Sequence, residues 1–334
     1  MIILTEKDDS KITRRDFIKT TGGAVAAVSI GAELLTNLAN SAESEKKEWK
    51  MEKRQYGNKK DMLSIIGFGG IIVMNETAEN ASAYVSEAID KGINYFDVAP
   101  TYGNAEDMLG PALEPYRKNV FLACKTEKRT KDEAQKALES SLKKLRTDYF
   151  DLYQLHAMTS DEDVEIAMGP NGAIKVLEEA KKKGIVRYLG FSAHSAENAL
   201  KLMDMFDFDS ILFPINWTCY FNSGFGPQVV EKAKSKNMGI LALKAMAKTH
   251  WDKDEERTYP KCWYKPVTDP EETELAIRFT LSQPITAAVT PGDVRLFRRA
   301  VEVGSKFKPL NDEELAILKK RAEGLAPIFK LASA

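Results

Sequence analysis

Past residue 50 the chain alternates two kinds of segment. Short runs rich in β-branched and aromatic residues are separated by longer stretches whose apolar residues recur at three- and four-residue spacing. The short runs predict strands at 64–68, 94–98, 120–124, 150–155, 186–191, 210–214, 239–243 and 286–289. The amphipathic stretches predict helices over 78–91, 104–116, 131–145, 172–183, 195–206, 227–236, 271–282 and 294–307. Eight strand-then-helix units predict an α/β fold, the (β/α)8 TIM barrel. A doubly wound open sheet would call for a G-x-G-x-x-G turn after its first strand, and Gly67-Phe68-Gly69-Gly70 lacks that spacing. Ahead of the first barrel strand, Arg54 to Leu63 with Gly57-Asn58 at its turn reads as an N-terminal hairpin closing the barrel floor.

Residues 1–49 break the alternation. Arg14 and Arg15 stand before Phe17-Ile18-Lys19, an uncharged run rich in Gly and Ala extends from Thr21 to Ala32, and Ala39 to Ala42 are small. This order resembles a twin-arginine export signal. It divides the chain into a leader with a short linker (1–49) and a barrel domain (50–334). It also implies the twin-arginine machinery as a partner and an exported, periplasmic mature protein. The run is too short and too mildly apolar for stable membrane insertion, and too rich in Gly and Ala for the alternative of an amphipathic helix.

Composition then narrows the chemistry. With 48 basic and 49 acidic side chains the net charge is −1, so no global field draws in nucleic acid. Three cysteines (Cys124, Cys219, Cys262) and three histidines (His156, His194, His250) lack the paired spacing of a zinc site, so no metal is expected. A divalent-metal sugar isomerase barrel would need several carboxylates at strand ends, and beyond Asp97 they are missing. Cys219 and Cys262 fall in neighbouring loops and could bridge in an oxidising compartment.

In a TIM barrel the chemistry sits at the carboxyl ends of the strands. There the chain carries Asn94-Tyr95-Phe96-Asp97-Val98-Ala99-Pro100-Thr101-Tyr102-Gly103, Cys124-Lys125-Thr126, Asp151-Leu152-Tyr153-Gln154-Leu155-His156 and Gly190-Phe191-Ser192. Through these motifs, over about residues 52–310, the chain resembles the aldo-keto reductase family. The resemblance implies a catalytic tetrad of Asp97, Tyr102, Lys125 and His156. It implies hydride transfer between NAD(P)(H) and a carbonyl or alcohol, with the dinucleotide lying across the barrel mouth. Residue chemistry agrees with these roles. Carbonyl reduction needs a proton at oxygen, and a phenol with a pKa of about 10 gives it up reluctantly. An ammonium from Lys125 would lower that pKa, Asp97 would hold Lys125 charged, and His156 would orient the carbonyl and share developing charge.

The cofactor residues depart from the family pattern. Ser192 stands where the nicotinamide amide contact begins, but Ala193 and His194 follow instead of Asn. Leu212 stands where Gln is common, so Asn216, four residues on, is the substitute candidate for the carboxamide. Lys244, ending the seventh strand, would reach cofactor or substrate. Thr290-Pro291-Gly292-Asp293 replaces a basic phosphate loop, leaving Gly292 and Arg298 as cofactor contacts and a slight lean to NAD(H) over NADP(H). The long segment 247–269, with Trp251, Tyr259, Trp263 and Tyr264, reads as a lid. With Trp217, Tyr220 and Phe221 of the preceding loop it would shape the site for a small-molecule carbonyl or alcohol. The other reading is a non-catalytic nicotinamide-binding sensor or interaction barrel, which would be expected to have lost a member of the tetrad.

Overall fold

The computed structural model describes residues 51–331. The proposed leader therefore lies outside the described residues. Eight parallel strands close into a barrel in the order β12-β3-β4-β5-β6-β7-β8-β9. They are β3 (Ile66–Gly69), β4 (Tyr95–Asp97), β5 (Phe121–Thr126), β6 (Phe150–Leu155), β7 (Val186–Ser192), β8 (Ser210–Pro214), β9 (Gly239–Leu243) and β12 (Ala287–Val289). The predicted barrel stands. Every residue of β5 and β6 is buried, because a parallel barrel covers both faces of each strand, and this is why most of their residues are apolar.

The helices surround the barrel: α1 (Ala78–Asp90), α2 (Ala105–Leu113), α3 (Lys131–Lys144), α4 (Asp161–Met168), α5 (Ile174–Lys182), α6 (Ala196–Met205), α7 (Trp217–Ser223), α8 (Pro227–Ser235), α9 (Pro270–Ser282), α10 (Val294–Ser305) and α11 (Asp312–Ala322). Their starts are set locally. Thr77, Ser160, Ser195 and Asp269 each accept a backbone N–H of the first turn, satisfying donors that would otherwise be orphaned. Three of these helices, α4, α7 and α11, were not apparent from apolar spacing. The predicted helix 104–116 stops at Leu113 and passes into a 3-10 turn over Glu114–Asn119.

The hairpin also stands. β1 (Lys53–Gln55) pairs antiparallel with β2 (Met62–Ser64). Tyr56 and Leu63 are fully buried against Tyr95, Phe121, Leu152 and Leu241, which fill the barrel interior from below. Gly57 has φ +55°, and a Cβ there would fall 2.6 Å from the backbone nitrogen of Gly239, so the turn needs glycine twice over. Asn94 pins hairpin to barrel: its side chain accepts from Ser64 N at 2.7 Å and donates to Met62 O at 2.8 Å.

The segment predicted as a lid is not all loop. β10 (Ala247–His250) and β11 (Tyr264–Pro266) form a small antiparallel hairpin with a register shift between Ala247 and Thr249. Cys219 and Cys262 are free, buried thiols, and the bridge envisaged between them is not present.

Candidate active site

Period-two alternation along the barrel strands stacks the interior in layers. On β4, Tyr95 and Asp97 share the inner face; on β6, Leu152 and Gln154 do, and His156 follows at the strand end. Lys125 Nζ donates to Asp97 Oδ1 and, at 3.1 Å, to Val98 O. Asp97 Oδ2 accepts from Tyr95 OH at 3.3 Å and meets Gln154 Nε2 at 3.5 Å. Both partners of the ion pair are buried, so either one alone would be an uncompensated charge in a low-dielectric interior.

Above this pair stand Tyr102 and His156. Lys125 Nζ lies 5.3 Å from the Tyr102 ring centre, and the Tyr102 and His156 rings meet edge to face at 5.9 Å and 86°. The four tetrad residues are therefore brought together. Burial works to lower the Lys125 pKa, but Asp97 reverses it and holds the ammonium above its ordinary value. Burial pushes the Tyr102 phenol up, and the field of Lys125 offsets only part of that. The expectation of a net lowering at Tyr102 is thus corrected: Lys125 acts in the expected direction, but removing the ring from water outweighs it. Burial, then Lys125, drives His156 down to about 2, so it is a neutral imidazole, and its buried Nδ1 has no partner.

Asp97, Tyr102 and His156 line a cavity of about 380 Å³. Ser192, Lys244 and Gly292 line it, as do Leu212, His194 and the lid residues Trp263 and Tyr264. Ser192 Oγ accepts from Ala157 N at 2.8 Å, which fixes the strand end beside His156.

Two candidates are not brought there. Asn216 is fully buried as the N-cap of α7. Its Oδ1 accepts from Cys219 N and Thr218 Oγ1, and its Nδ2 donates to Lys244 O and Ala247 O. All its hydrogen-bonding capacity goes to the chain itself. The face-of-strand argument fails because β8 ends at Pro214 and the chain turns before Asn216. Arg298 lies on α10, away from the cavity lining, and is paired with Glu87 of α1 at 2.8 Å.

Three residues went unremarked in the sequence. Tyr95 and Gln154 support Asp97, and their signal was available, since each lies two positions before a tetrad residue on the same strand face. Lys261 crosses from the lid to the loop after β3, donating to Ile72 O and Glu76 Oε1, both at 2.8 Å. No local pattern marks it. Among the described residues, no group of three or more His, Cys, Asp or Glu side chains is placed to hold a metal ion.

Comparison with known proteins agrees with this geometry. The aldo/keto reductase family model matches residues 66–317, and the chain belongs to that family. The uncharacterized oxidoreductase YqkF of Bacillus subtilis is 26% identical over 306 residues, covering 82% of this chain and 97% of its own. L-galactose dehydrogenase of Arabidopsis thaliana is 26% identical over 214 residues, covering 59% of this chain and 66% of its own. In fold, the chain resembles the holo form of aldo-keto reductase AKR11C1 from Bacillus halodurans, with a TM-score of 0.66, 22% identity and coverage of 84% and 99% of the two chains. An aldo-keto reductase from Klebsiella pneumoniae in complex with NADPH gives a TM-score of 0.66 at 20% identity, with the same coverages.

Proposed function

We propose that this member of the aldo/keto reductase family, a nicotinamide-dependent oxidoreductase of carbonyl substrates, is an exported hydride shuttle that keeps its cofactor bound and prefers NAD(H). The observation that carries the chemistry is the buried Asp97–Lys125 pair beneath Tyr102 and His156. Nothing in the tetrad has been lost, which separates this reading from a non-catalytic sensor barrel.

The cavity fits the nicotinamide end of a dinucleotide. Leu212, Leu243 and Val289 give it apolar lining, Ser192 a hydroxyl, and Gly292 a close approach where a Cβ would fall 2.2 Å from Ile71 Cγ2. When bound, the nicotinamide supplies or accepts the hydride. Tyr102 holds the proton destined for the carbonyl oxygen, or takes it from an alcohol in the reverse direction. Lys125 stabilises the phenolate left behind, Asp97 fixes Lys125, and neutral His156 donates to the same oxygen as negative charge develops there.

The preference for NAD(H) rests on the loop after β12. Gly292 offers no cation, and Asp293 accepts from Arg295 Nε at 2.9 Å and pairs with its Nη2 at 2.8 Å. Arg298 is tied to Glu87. A 2′-phosphate would meet no free arginine there and would face a carboxylate, whereas a ribose hydroxyl can donate to one.

Retention and export join in one argument. A leader of the twin-arginine type delivers a folded protein to a compartment with no expected pool of dinucleotide. A reductase that released its cofactor there would stop after one turnover. If nucleotide stays bound, oxidation of a donor alcohol and reduction of an acceptor carbonyl alternate in the one cavity. The Lys261 bridge supports this reading, because it ties the lid to the loop after β3. The test is to purify the mature protein, dialyse it extensively, and measure nucleotide absorbance and alcohol-plus-carbonyl dismutation without added cofactor. Bound nucleotide with dismutation is expected. An empty protein that turns over only with supplied NAD(H) would overturn retention and leave the oxidoreductase standing.

A further inference from the structure

Two lysines near the reacting residues stand in opposite circumstances, Lys125 buried behind the cavity lining and Lys244 within it. Lys125 is neutralised by Asp97. Lys244, at the end of β9, lines the same cavity as Tyr102 and His156. Among the described residues its ammonium has neither a carboxylate within ion-pair distance nor a hydrogen-bond acceptor. What it faces is aromatic: Trp263 and Tyr264 of the lid, with ring centres at 5.2 and 5.0 Å. The carboxylates around the rim are already taken. Asp97 holds Lys125, Glu76 holds Lys261 and Asp293 holds Arg295. His156 and His194 are kept neutral by burial and by neighbouring positive charge, so they add no further cation beside Lys244, and an imidazole supplies no negative charge to balance it.

The backbone also points to a fixed purpose. Lys244 has φ +69°, a left-handed conformation that is unfavourable for a residue with a Cβ. The surroundings hold it there. Asn216 Nδ2 donates to Lys244 O at 2.9 Å, and Ala247 N donates to the same oxygen. An uncompensated cation held in a strained pose, across a small cavity from the proton donor, is a receptor for an anion.

We propose that Lys244 receives a carboxylate on the substrate, so that the carbonyl compounds this enzyme prefers are carboxylate-bearing aldehydes. This rests on the oxidoreductase reading and adds the substrate class to it. A dinucleotide's phosphates are a second source of negative charge. They are separated from the nicotinamide by a full ribose, whereas Lys244 lies at the reacting end among the lid aromatics.

The experiment compares para-formylbenzoate with its methyl ester, which share the ring and the aldehyde but differ in charge; the ester withdraws electrons more strongly and is the better intrinsic hydride acceptor, so a preference for the carboxylate cannot come from ring electronics. For the wild-type enzyme with NADH, kcat/KM should favour the carboxylate at least tenfold. In Lys244→Met that ratio should fall about ten- to hundredfold, the range expected for a hydrogen bond to a charged group. Lys244→Arg should restore most of it. Benzoate, titrated against intrinsic tryptophan fluorescence, should bind more weakly to Lys244→Met than to wild type by a similar factor. A wild-type ratio near one, with the ester turned over, overturns the inference alone. So does Lys244→Met with an unchanged ratio and NADH affinity weakened instead, which would assign the lysine to a cofactor phosphate. Failure of wild type to reduce either aldehyde, with NADH or with NADPH, would overturn this inference, and failure across a wider panel of aldehydes and alcohols would overturn the oxidoreductase reading with it.

Discussion

Replacing Lys261 by methionine removes the bridge between the lid and the loop after β3 while keeping the length and apolar stem of the side chain. Its ammonium makes two charge-assisted hydrogen bonds, to Ile72 O and to Glu76, each at 2.8 Å. Its side chain is 18% exposed and that of Glu76 is 23% exposed, so the pair is partly screened. Taking a value between a solvated ion pair and a buried charged hydrogen bond gives about 2 kcal/mol for the bridge. That is about a thirtyfold change in the ratio of closed to open lid. If nucleotide leaves only through the opened lid, its dissociation rate rises by the same factor. Stopped-flow measurement of NADH fluorescence after mixing with excess NAD reads this rate directly. Glu76→Gln keeps the bond to Ile72 O and should speed release less, by about fivefold. Lys261 holds Glu76 below its ordinary carboxylate range, so the wild-type rate should be flat across neutral pH. Release rates within twofold of wild type in both variants would show that the bridge does not gate the nucleotide.

Tyr102→Phe should lower kcat about a hundred- to ten-thousandfold, the range for a positioned proton donor, with NADH affinity within a few fold; reduction of aldehydes at the wild-type rate would refute the role. Asp293→Ser keeps a capping oxygen at the start of α10 but frees Arg295, and should shift the ratio of NADPH to NADH affinity about tenfold towards NADPH by titration; an unchanged ratio would remove Asp293 from cofactor choice. Burial, then Lys244, pushes His194 down to about 4, against about 6.5 in an unfolded chain. The unfolded chain therefore binds the proton more readily, so the contribution is whole above pH 6.5 and is lost as pH falls towards 4. His194→Phe, which keeps the stack on Phe329 at 4.9 Å, should flatten the fall in Tm between about pH 7 and pH 5, and a slope equal to wild type would count against it. Burial lowers Lys244 to about 8, with Cys262 opposing and Lys125 adding to the shift. The preference of kcat/KM for a carboxylate substrate should therefore be full well below pH 8, half lost near pH 8 and decline further above it, while a preference constant to pH 9.5 would contradict the proposed contact.

The barrel was legible because its strands are buried on both faces and its helices on one, so the two periodicities separate along the chain. The tetrad was legible for the same reason. Once the strands are placed, Asp97, Lys125 and His156 must fall at adjacent strand ends, and Tyr102 in the loop above the first of them. What failed to show were relations set by long-range contact. Asn216 was assigned to the cavity by continuing the alternation of β8 beyond its end, yet a residue three positions before a backbone N–H at a helix start is equally a cap, and the cap prevailed. Arg298 was assigned by closeness in sequence to the loop after β12, yet α10 turns it towards Glu87, which lies 211 residues away. Lys261 and Ile72 are 189 residues apart, and nothing near either marks their contact.

Lys125 and Lys244 show where the limit lies. In sequence, Lys125 and Lys244 are the same signal, a cation ending a buried apolar strand. Their roles diverge through neighbours that other strands supply. β4 delivers a carboxylate to Lys125, whereas the lid delivers aromatic faces and a thiol, but no carboxylate, to Lys244. The paired lysine spends its charge on an internal partner and therefore acts through Tyr102. The unpaired one keeps its charge for whatever enters the cavity. A residue's type and strand position thus set what it can do, and the charge balance of the folded site decides which of those things remains to be done. Placing one carboxylate beside Lys244, as Cys262→Asp would at the thiol whose field already reaches it, should cancel the preference for anionic substrates while Asp97, Lys125 and Tyr102 stay in place. Retention of the carboxylate preference in that variant, with the protein folded, would mean that the anion is held by something other than Lys244.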